Sequence, residues 1–241
     1  MTTLRHERLP DGIEVLRLDR PEVRNAMNRA LLAELEETLA ALAADDTLRV
    51  LVFSTTNERA LCAGADVGES LTADEGVERM EAFSRFYTAV EAFPAPTIAV
   101  CVGNVVGAGA ELVAGCDLRV GGDNLKLAFA GAKLGVPVGP ARLTPLVGLS
   151  RAKELIFTGR VLGLDEGLAL GLLHRGAPAA EAEGVALALA QEIAQRPPAG
   201  LRALKDAFRV HEALPERVTR ENDGLVAFQR SGTGLPQGPR G

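Results

Sequence analysis

The chain is 241 residues long, 47% hydrophobic and 24% charged, with a formal charge of −6 at neutral pH. Those figures fit a soluble globule of one large or two small domains, and the acidic balance excludes a nucleic-acid binder, which needs a basic face against phosphate. Aromatic residues make up only 4%, with no Trp, one Tyr and eight Phe, so the core must be aliphatic and Ala-rich. A mean hydropathy of +0.11 keeps that scarcity from signalling disorder. Lysine is confined to Lys126, Lys133, Lys153 and Lys205, the other basic residues being Arg, a bias expected of a GC-rich gene.

In chain order, the first twelve residues are polar, with no apolar signal core, and no apolar run reaches the roughly 18 residues that a membrane span needs. A cytoplasmic protein is expected. Residues 13–18 (IEVLRL) alternate apolar and polar after the turn signal Pro10-Asp11-Gly12 and read as a hairpin strand. Asn28 is placed to cap a helix whose apolar face is Leu31, Leu32, Leu35, Leu39 and Leu42. Residues 49–54 (RVLVFS) form a buried strand. Thr72 and Glu75 make a capping box for a helix running towards Phe93, where Pro94 and Pro96 stop it. Residues 97–102 (TIAVCV) are another buried strand, leading into the Gly-rich stretch 103–109. Short strands follow near 118–120 and 127–129. From Ser150 the pattern is helical, interrupted by an apolar piece at 172–174, and the Gly/Pro-rich tail from Ser231 is expected to fray. Strands alternating with helices indicate an α/β fold with largely parallel strands, residues 1–195 forming the core and 196–241 a helical subdomain.

Several chemistries are absent. Cys62, Cys101 and Cys116 are odd in number with no CxxC, and His6, His174 and His211 lie far apart, so neither a disulfide framework nor a metal site is indicated. There is no P-loop, no dinucleotide fingerprint and no nucleophile elbow. Two stretches remain. Residues 60–67 (ALCAGADV) have side chains small enough for another molecule to approach the backbone, although a tight loop capped by Asp66 is the reading that chemistry alone favours. Residues 103–112 run from a buried strand into a probable helix whose first turn carries Glu111. Small residues at a helix start expose N–H donors where the macrodipole is positive. Glu111 either faces solvent, stabilised by that dipole, or is buried by Val105, Val106, Leu112 and Val113 and shuttles protons.

Together these stretches resemble the crotonase superfamily, the enoyl-CoA hydratase/isomerase family. Arg20-Pro21-Glu22-Val23-Arg24-Asn25-Ala26 resembles the family's RP-x-x-x-NA segment, and Cys62-Ala63-Gly64-Ala65-Asp66 its FCAGAD loop. Residues 103–111 with Cys116-Asp117-Leu118-Arg119 resemble NG-x-x-x-G-x-G-x-E-L-x-x-x-CD, and Ala152 to Gly159 the A-x-E-L-x-x-TG helix. The likeness runs over about residues 10–230 in constant order. It implies a spiral of ββα units, a C-terminal helical trimerisation region, a homotrimer or dimer of trimers, and acyl-CoA thioesters as substrates without metal or redox cofactor. By position, the N–H groups of Ala65 and Ala108 would form an oxyanion hole, Gly107 would sit beside it, and Glu111 would be the acid/base. Val23, Arg24, Ala26, Ala63, Asp66 and Val67 would line the CoA path, with Arg24 a phosphate partner.

The departures matter as much. Hydratases of this family use a second glutamate, which falls here at Gly131, and the acid of some isomerases falls at Gly139. The basic stretch often found near the C-terminus is thinned to Gln229-Arg230-Ser231-Gly232. Three readings follow: a hydratase or isomerase in which Glu111 alone moves protons; a malonyl-type decarboxylase, since residues 134–137 read LGVP as in such members; or a non-catalytic acyl-CoA-binding paralogue. Val77, Met80, Phe83, Phe86 and Tyr87 either line the acyl pocket or are ordinary helix packing.

Overall fold

In the computed structural model, which describes residues 2–232 and 234–236, the strands divide between two sheets. They are β1 (Leu4–Leu9), β2 (Ile13–Leu18), β3 (Val50–Thr55), β4 (Ala60–Cys62), β5 (Thr97–Cys101), β6 (Asn104–Val106), β7 (Leu118–Gly122), β8 (Lys126–Ala128) and β9 (Arg175–Ala177). The larger sheet has the order β1-β2-β3-β5-β7-β9 and the smaller β4-β6-β8. Only the β1–β2 pair is antiparallel. The helices are α1 (Arg29–Ala43), α2 (Ala73–Glu91), α3 (Ala108–Gly115), α4 (Pro140–Val147), α5 (Leu149–Thr158), α6 (Leu164–Ala169), α7 (Ala182–Ala194), α8 (Pro198–His211) and α9 (Leu214–Arg230).

Successive strand pairs explain the spiral. β3 enters the large sheet, β4 the small one, and α2 follows; β5, β6 and α3 repeat the unit, as do β7, β8 and α4. The C-terminal ends of β4, β6 and β8 therefore lie side by side, and their loops converge, the usual place for a ligand on parallel strands. β3 is apolar on both faces because both faces are covered. On one side α7 packs Ala182, Ala186, Ala190 and Ala194, one helical turn apart, on Val15, Val52, Ile98 and Val120. A stripe of Ala lets the helix lie close to the sheet.

Local signals act as their chemistry predicts. Asn28 Oδ1 accepts the Leu31 N–H at 2.9 Å, and the Thr72/Glu75 capping box is formed in both directions. Arg119 is buried, with its charge met by the carbonyls of Leu172, Val113, Cys116 and Asp117 at 2.6–3.2 Å. Asp117 ties Lys205 of α8 (2.7 Å) to the Thr97 N–H (2.7 Å), joining the C-terminal helices to the core.

Some local expectations are corrected. Residues 60–62 are a strand, not loop, and a polar strand, β1, precedes the expected hairpin strand; it lies at a sheet edge, where four of its residues are exposed. The apolar piece at 172–174 buries Leu172 and Leu173, but the strand itself is 175–177. The described part of the tail is not frayed. Gln229 donates to the Leu235 carbonyl (3.2 Å) and accepts its N–H (2.8 Å), and Arg79 donates to the Pro236 carbonyl (2.7 Å). The rest of the tail lies outside the described residues. No helix among the described residues is long and apolar enough to cross a membrane.

Candidate active site

The segment 20–27 clamps the loop after β4. Asn25, buried and at φ 56°, donates from its amide to the Ala60 and Leu61 carbonyls (both 3.0 Å) and to Thr55 Oγ1 (2.8 Å). Arg20 donates to Asp66 Oδ2 at 3.2 Å and to the Ala26 carbonyl. Met27 forms a parallel bridge with Ala65, in which Met27 N–H donates to Gly64 O and Asp66 N–H to Met27 O, both at 2.8 Å. In such a bridge the middle residue's own N–H turns away from the partner strand. Ala65 is that residue.

Across from it, Gly107 has φ 52° and ψ −113°, a conformation open to glycine and hostile to residues with a Cβ. It swings the chain from β6 into α3, so that Ala108 is the first helical residue. Among the described residues neither the Ala65 nor the Ala108 N–H donates a backbone hydrogen bond. Both residues line one cavity of about 190 Å³. Gly64 is needed for the approach: at φ +115°, a Cβ there would lie 3.2 Å from the Val106 carbonyl.

Apart from that strip of backbone the cavity is apolar, walled by Met80, Phe83 and Tyr87 of α2, by Val136 and Val138, and by Leu225 and Leu235. Of the five apolar α2 residues considered from sequence, Met80, Phe83 and Tyr87 thus reach the cavity, whereas Phe86 is core. Val136 and Val138 also line a larger open cleft of about 760 Å³ on their other side, so residues 136–138 form a partition between the two spaces.

Glu111 is buried, 1% exposed, in the second half-turn of α3. Burial pushes its carboxyl up to about 8, Glu221 adds to the rise, and Arg142 opposes it. Its Oε1 lies against Gly139, where a Cβ would come within 3.1 Å, and Oε2 is 3.4 Å from Arg142 Nη1. Glu111 is not among the residues that line the cavity.

The other site candidates divide. Ala63, Val67, Gly107 and Gly131 line the cavity. Asp66 instead anchors the loop through Arg20 and accepts the Gly68 N–H at 3.2 Å. Val23 and Ala26 belong to the clamping turn, while Arg24, at φ 53°, faces a separate cleft of about 510 Å³ with Arg59 and Lys126, at the opposite ends of β4, β6 and β8. Arg59 and Lys126 were not singled out from sequence, since lone basic residues at strand starts carry no motif. Gly131 has no room for a side chain: a Cβ would meet the Val136 carbonyl at 2.7 Å. The three cysteines are free and buried, and burial pushes each thiol up to about 12, which leaves them inert. No group of His, Cys, Asp and Glu among the described residues is disposed to hold a metal ion.

Comparison with known proteins fits this geometry. Residues 8–232 match the sequence profile described as enoyl-CoA hydratase/isomerase. The chain is 39% identical over 213 residues to the human enoyl-CoA hydratase domain-containing protein 2, mitochondrial, covering 83% of this chain and 72% of that protein. It is 34% identical over 198 residues to 2,3-dehydroadipyl-CoA hydratase of Escherichia coli, covering 81% and 77%. The crystal structure of an enoyl-CoA hydratase from Bacillus anthracis superposes with a TM-score of 0.83 at 28% identity, covering 99% of this chain and all of that one.

Proposed function

Because the chain belongs to the enoyl-CoA hydratase/isomerase family, we propose that it works on the thioester of an enoyl-CoA, with the Ala65 and Ala108 N–H groups holding the carbonyl oxygen and Glu111 moving the proton. The observation that carries this is the pair of N–H groups that, among the described residues, donate no backbone hydrogen bond and belong to residues lining one apolar cavity. As a proton leaves the α-carbon, charge develops on the thioester oxygen. Two fixed donors stabilise it there, and removing one such donor typically costs about 3 kcal/mol in the transition state. The α3 dipole adds to the effect, since Ala108 opens that helix.

Glu111 is the only carboxyl assigned to proton transfer. It takes the α-proton of a β,γ-enoyl thioester and returns it at the γ-carbon, giving the conjugated product; the same carboxyl delivers or removes a proton in hydration. A carboxyl whose affinity for protons is raised towards neutrality suits both directions.

The cavity is smaller than the about 300–1,000 Å³ of typical drug-sized pockets, which favours a short acyl group. Arg24 is the candidate partner for the CoA phosphates, and the cleft it faces carries Arg59 and Lys126 against Glu58, a local excess of positive charge on an acidic chain. The reading needs only residues of this chain and no metal or redox cofactor. A homotrimer or dimer of trimers is part of it, supported by the exposed Leu204 and Phe208 on α8 and Phe157 on α5.

The test is one panel of an α,β-enoyl-CoA, a β,γ-enoyl-CoA and a methylmalonyl-type CoA with the purified protein. Loss or gain of the conjugated absorbance is expected with the first two. Carbon dioxide release from the third alone overturns the reading for a decarboxylase, and binding without turnover overturns it for a paralogue that only binds acyl-CoA.

A further inference from the structure

Beside Glu111 lies a buried ionic cluster that joins residues far apart in sequence. The Arg142 side chain, on α4, is 1% exposed, and its Nη1 meets two carboxylates: Glu221 Oε1 at 2.6 Å and Glu111 Oε2 at 3.4 Å. Glu221 is on α9, and its other oxygen accepts the Ala141 N–H at 2.7 Å. The next residue, Asn222, accepts from Arg142 Nη2 at 3.2 Å and donates to Ser84 O and Thr88 Oγ1 of α2. The guanidinium carbon stands 4.5 Å from the centre of the Tyr87 ring.

One arginine cannot neutralise two carboxylates, Glu111, which is buried, and Glu221, which is largely covered but borders the open cleft. Its short contact goes to Glu221, which a backbone N–H also supports, and Glu111 is left at the longer distance from a pair with no net charge. A desolvated carboxyl without a counter-charge keeps its proton. We propose that Glu221 is a positioning residue for Glu111: from the C-terminal helix it draws Arg142 away from the acid/base and leaves Glu111 without a counter-charge to hold it ionised, so that the carboxyl can both take and return a proton. The proposal rests on the reading of Glu111 as proton carrier.

The groups facing Glu111 from the elements around it are Arg142 of α4, Glu221 of α9 and Tyr87 of α2, with Cys62 of β4 near Tyr87. Burial pushes the Tyr87 phenol well above its ordinary range and the Cys62 thiol up to about 12, so both stay neutral. Arg142 and Glu221 are the charges that act. Removing the negative charge of Glu221 also releases the guanidinium to Glu111, so both consequences favour the ionised form of Glu111.

The full-length protein is compared with Glu221→Gln, Glu221→Asp and Glu111→Gln by two measurements, with thermal unfolding as the check on folding. One is the pH titration of the infrared C=O stretch of a buried protonated carboxyl, assigned by its absence in Glu111→Gln. The other is the pH dependence of kcat/KM on the enoyl-CoA turned over. Glu221→Gln should move both midpoints down by about one pH unit or more. Glu221→Asp, which withdraws the charge by one methylene, should move them less in the same direction, and it decides alone if Glu221→Gln does not fold. Infrared titrations that superimpose on the unchanged protein overturn the proposal, whatever the activity. Undiminished turnover by Glu111→Gln instead overturns the reading of Glu111, and the infrared midpoint then decides the charge coupling by itself.

Discussion

Gly131 occupies the place where the family resemblance puts a second glutamate, and the geometry there makes a quantitative prediction. A Cβ would come within 2.7 Å of the Val136 carbonyl oxygen and 2.9 Å of Val138 Cγ1. That carbonyl is not free to retreat, because Val136 N–H donates to Gly131 O at 2.8 Å and Val138 N–H to Val136 O at 3.0 Å. Replacing Gly by Ala where the backbone is unstrained gains about 0.4–1 kcal/mol by stiffening the unfolded chain. Forcing a methyl group into a filled space costs about 1–3 kcal/mol. The contact term is the larger, so Gly131→Ala should lose about 1–2 kcal/mol of stability. In a chain of this size each kcal/mol moves Tm by about 2–4 °C. Differential scanning calorimetry reads the shift directly. Gly131→Glu should lose more and gain no hydratase activity. A Gly131→Ala protein at least as stable as the parent, or a folded Gly131→Glu that hydrates an α,β-enoyl-CoA faster, would refute the reasoning.

Three further outcomes follow from the same structure. Gly107→Ala forces a Cβ into φ 52°, ψ −113° and re-aims the Ala108 N–H; it should cost about 1–3 kcal/mol of stability, and turnover should drop by about 10²-fold or more. Unchanged steady-state kinetics would speak against Ala108 as a donor. Glu111 binds its proton more tightly when folded than when unfolded, so its contribution favours the folded state in acid and is lost as pH rises through about 8. Glu111→Gln should therefore gain in Tm over the parent with rising pH across that window, and a constant gap between the two proteins would contradict it. Phe208 is 69% exposed and one helical turn from Leu204; Phe208→Glu should dissociate the proposed trimer in sedimentation velocity, and a parent already monomeric at the same concentration would remove this basis for it.

Much of the architecture was legible because the signals are local. The Asn28 cap, the Leu face behind it and the Thr72/Glu75 box need only neighbours within a few residues. The strand at 60–62 was not legible, because three residues leading into Ala-Gly-Ala look like loop until β6 is there to pair with them. The edge strand β1 was hidden by its polar residues, which face solvent beside an otherwise buried sheet. For the site, the Gly and Ala stretches marked the backbone that lines the cavity, and the apolar neighbours of Glu111 favoured its burial. Of the two readings of residues 60–67, the loop capped by Asp66 is present: its carboxylate is engaged by Arg20 and the Gly68 N–H. The Arg142–Glu221 pair was out of reach altogether, since 79 residues separate partners that meet only when α9 folds back on α4. No spacing rule spans that distance.

In the proposed mechanism Glu111 moves the proton while backbone N–H groups hold the thioester. The most direct measurement pairs single-turnover conversion of a short enoyl-CoA by Glu111→Gln with calorimetric binding of the same ester by both proteins. Conversion by Glu111→Gln should fall by about 10²–10⁴-fold with binding affinity essentially unchanged. Conversion by Glu111→Gln at the parent rate would contradict that mechanism.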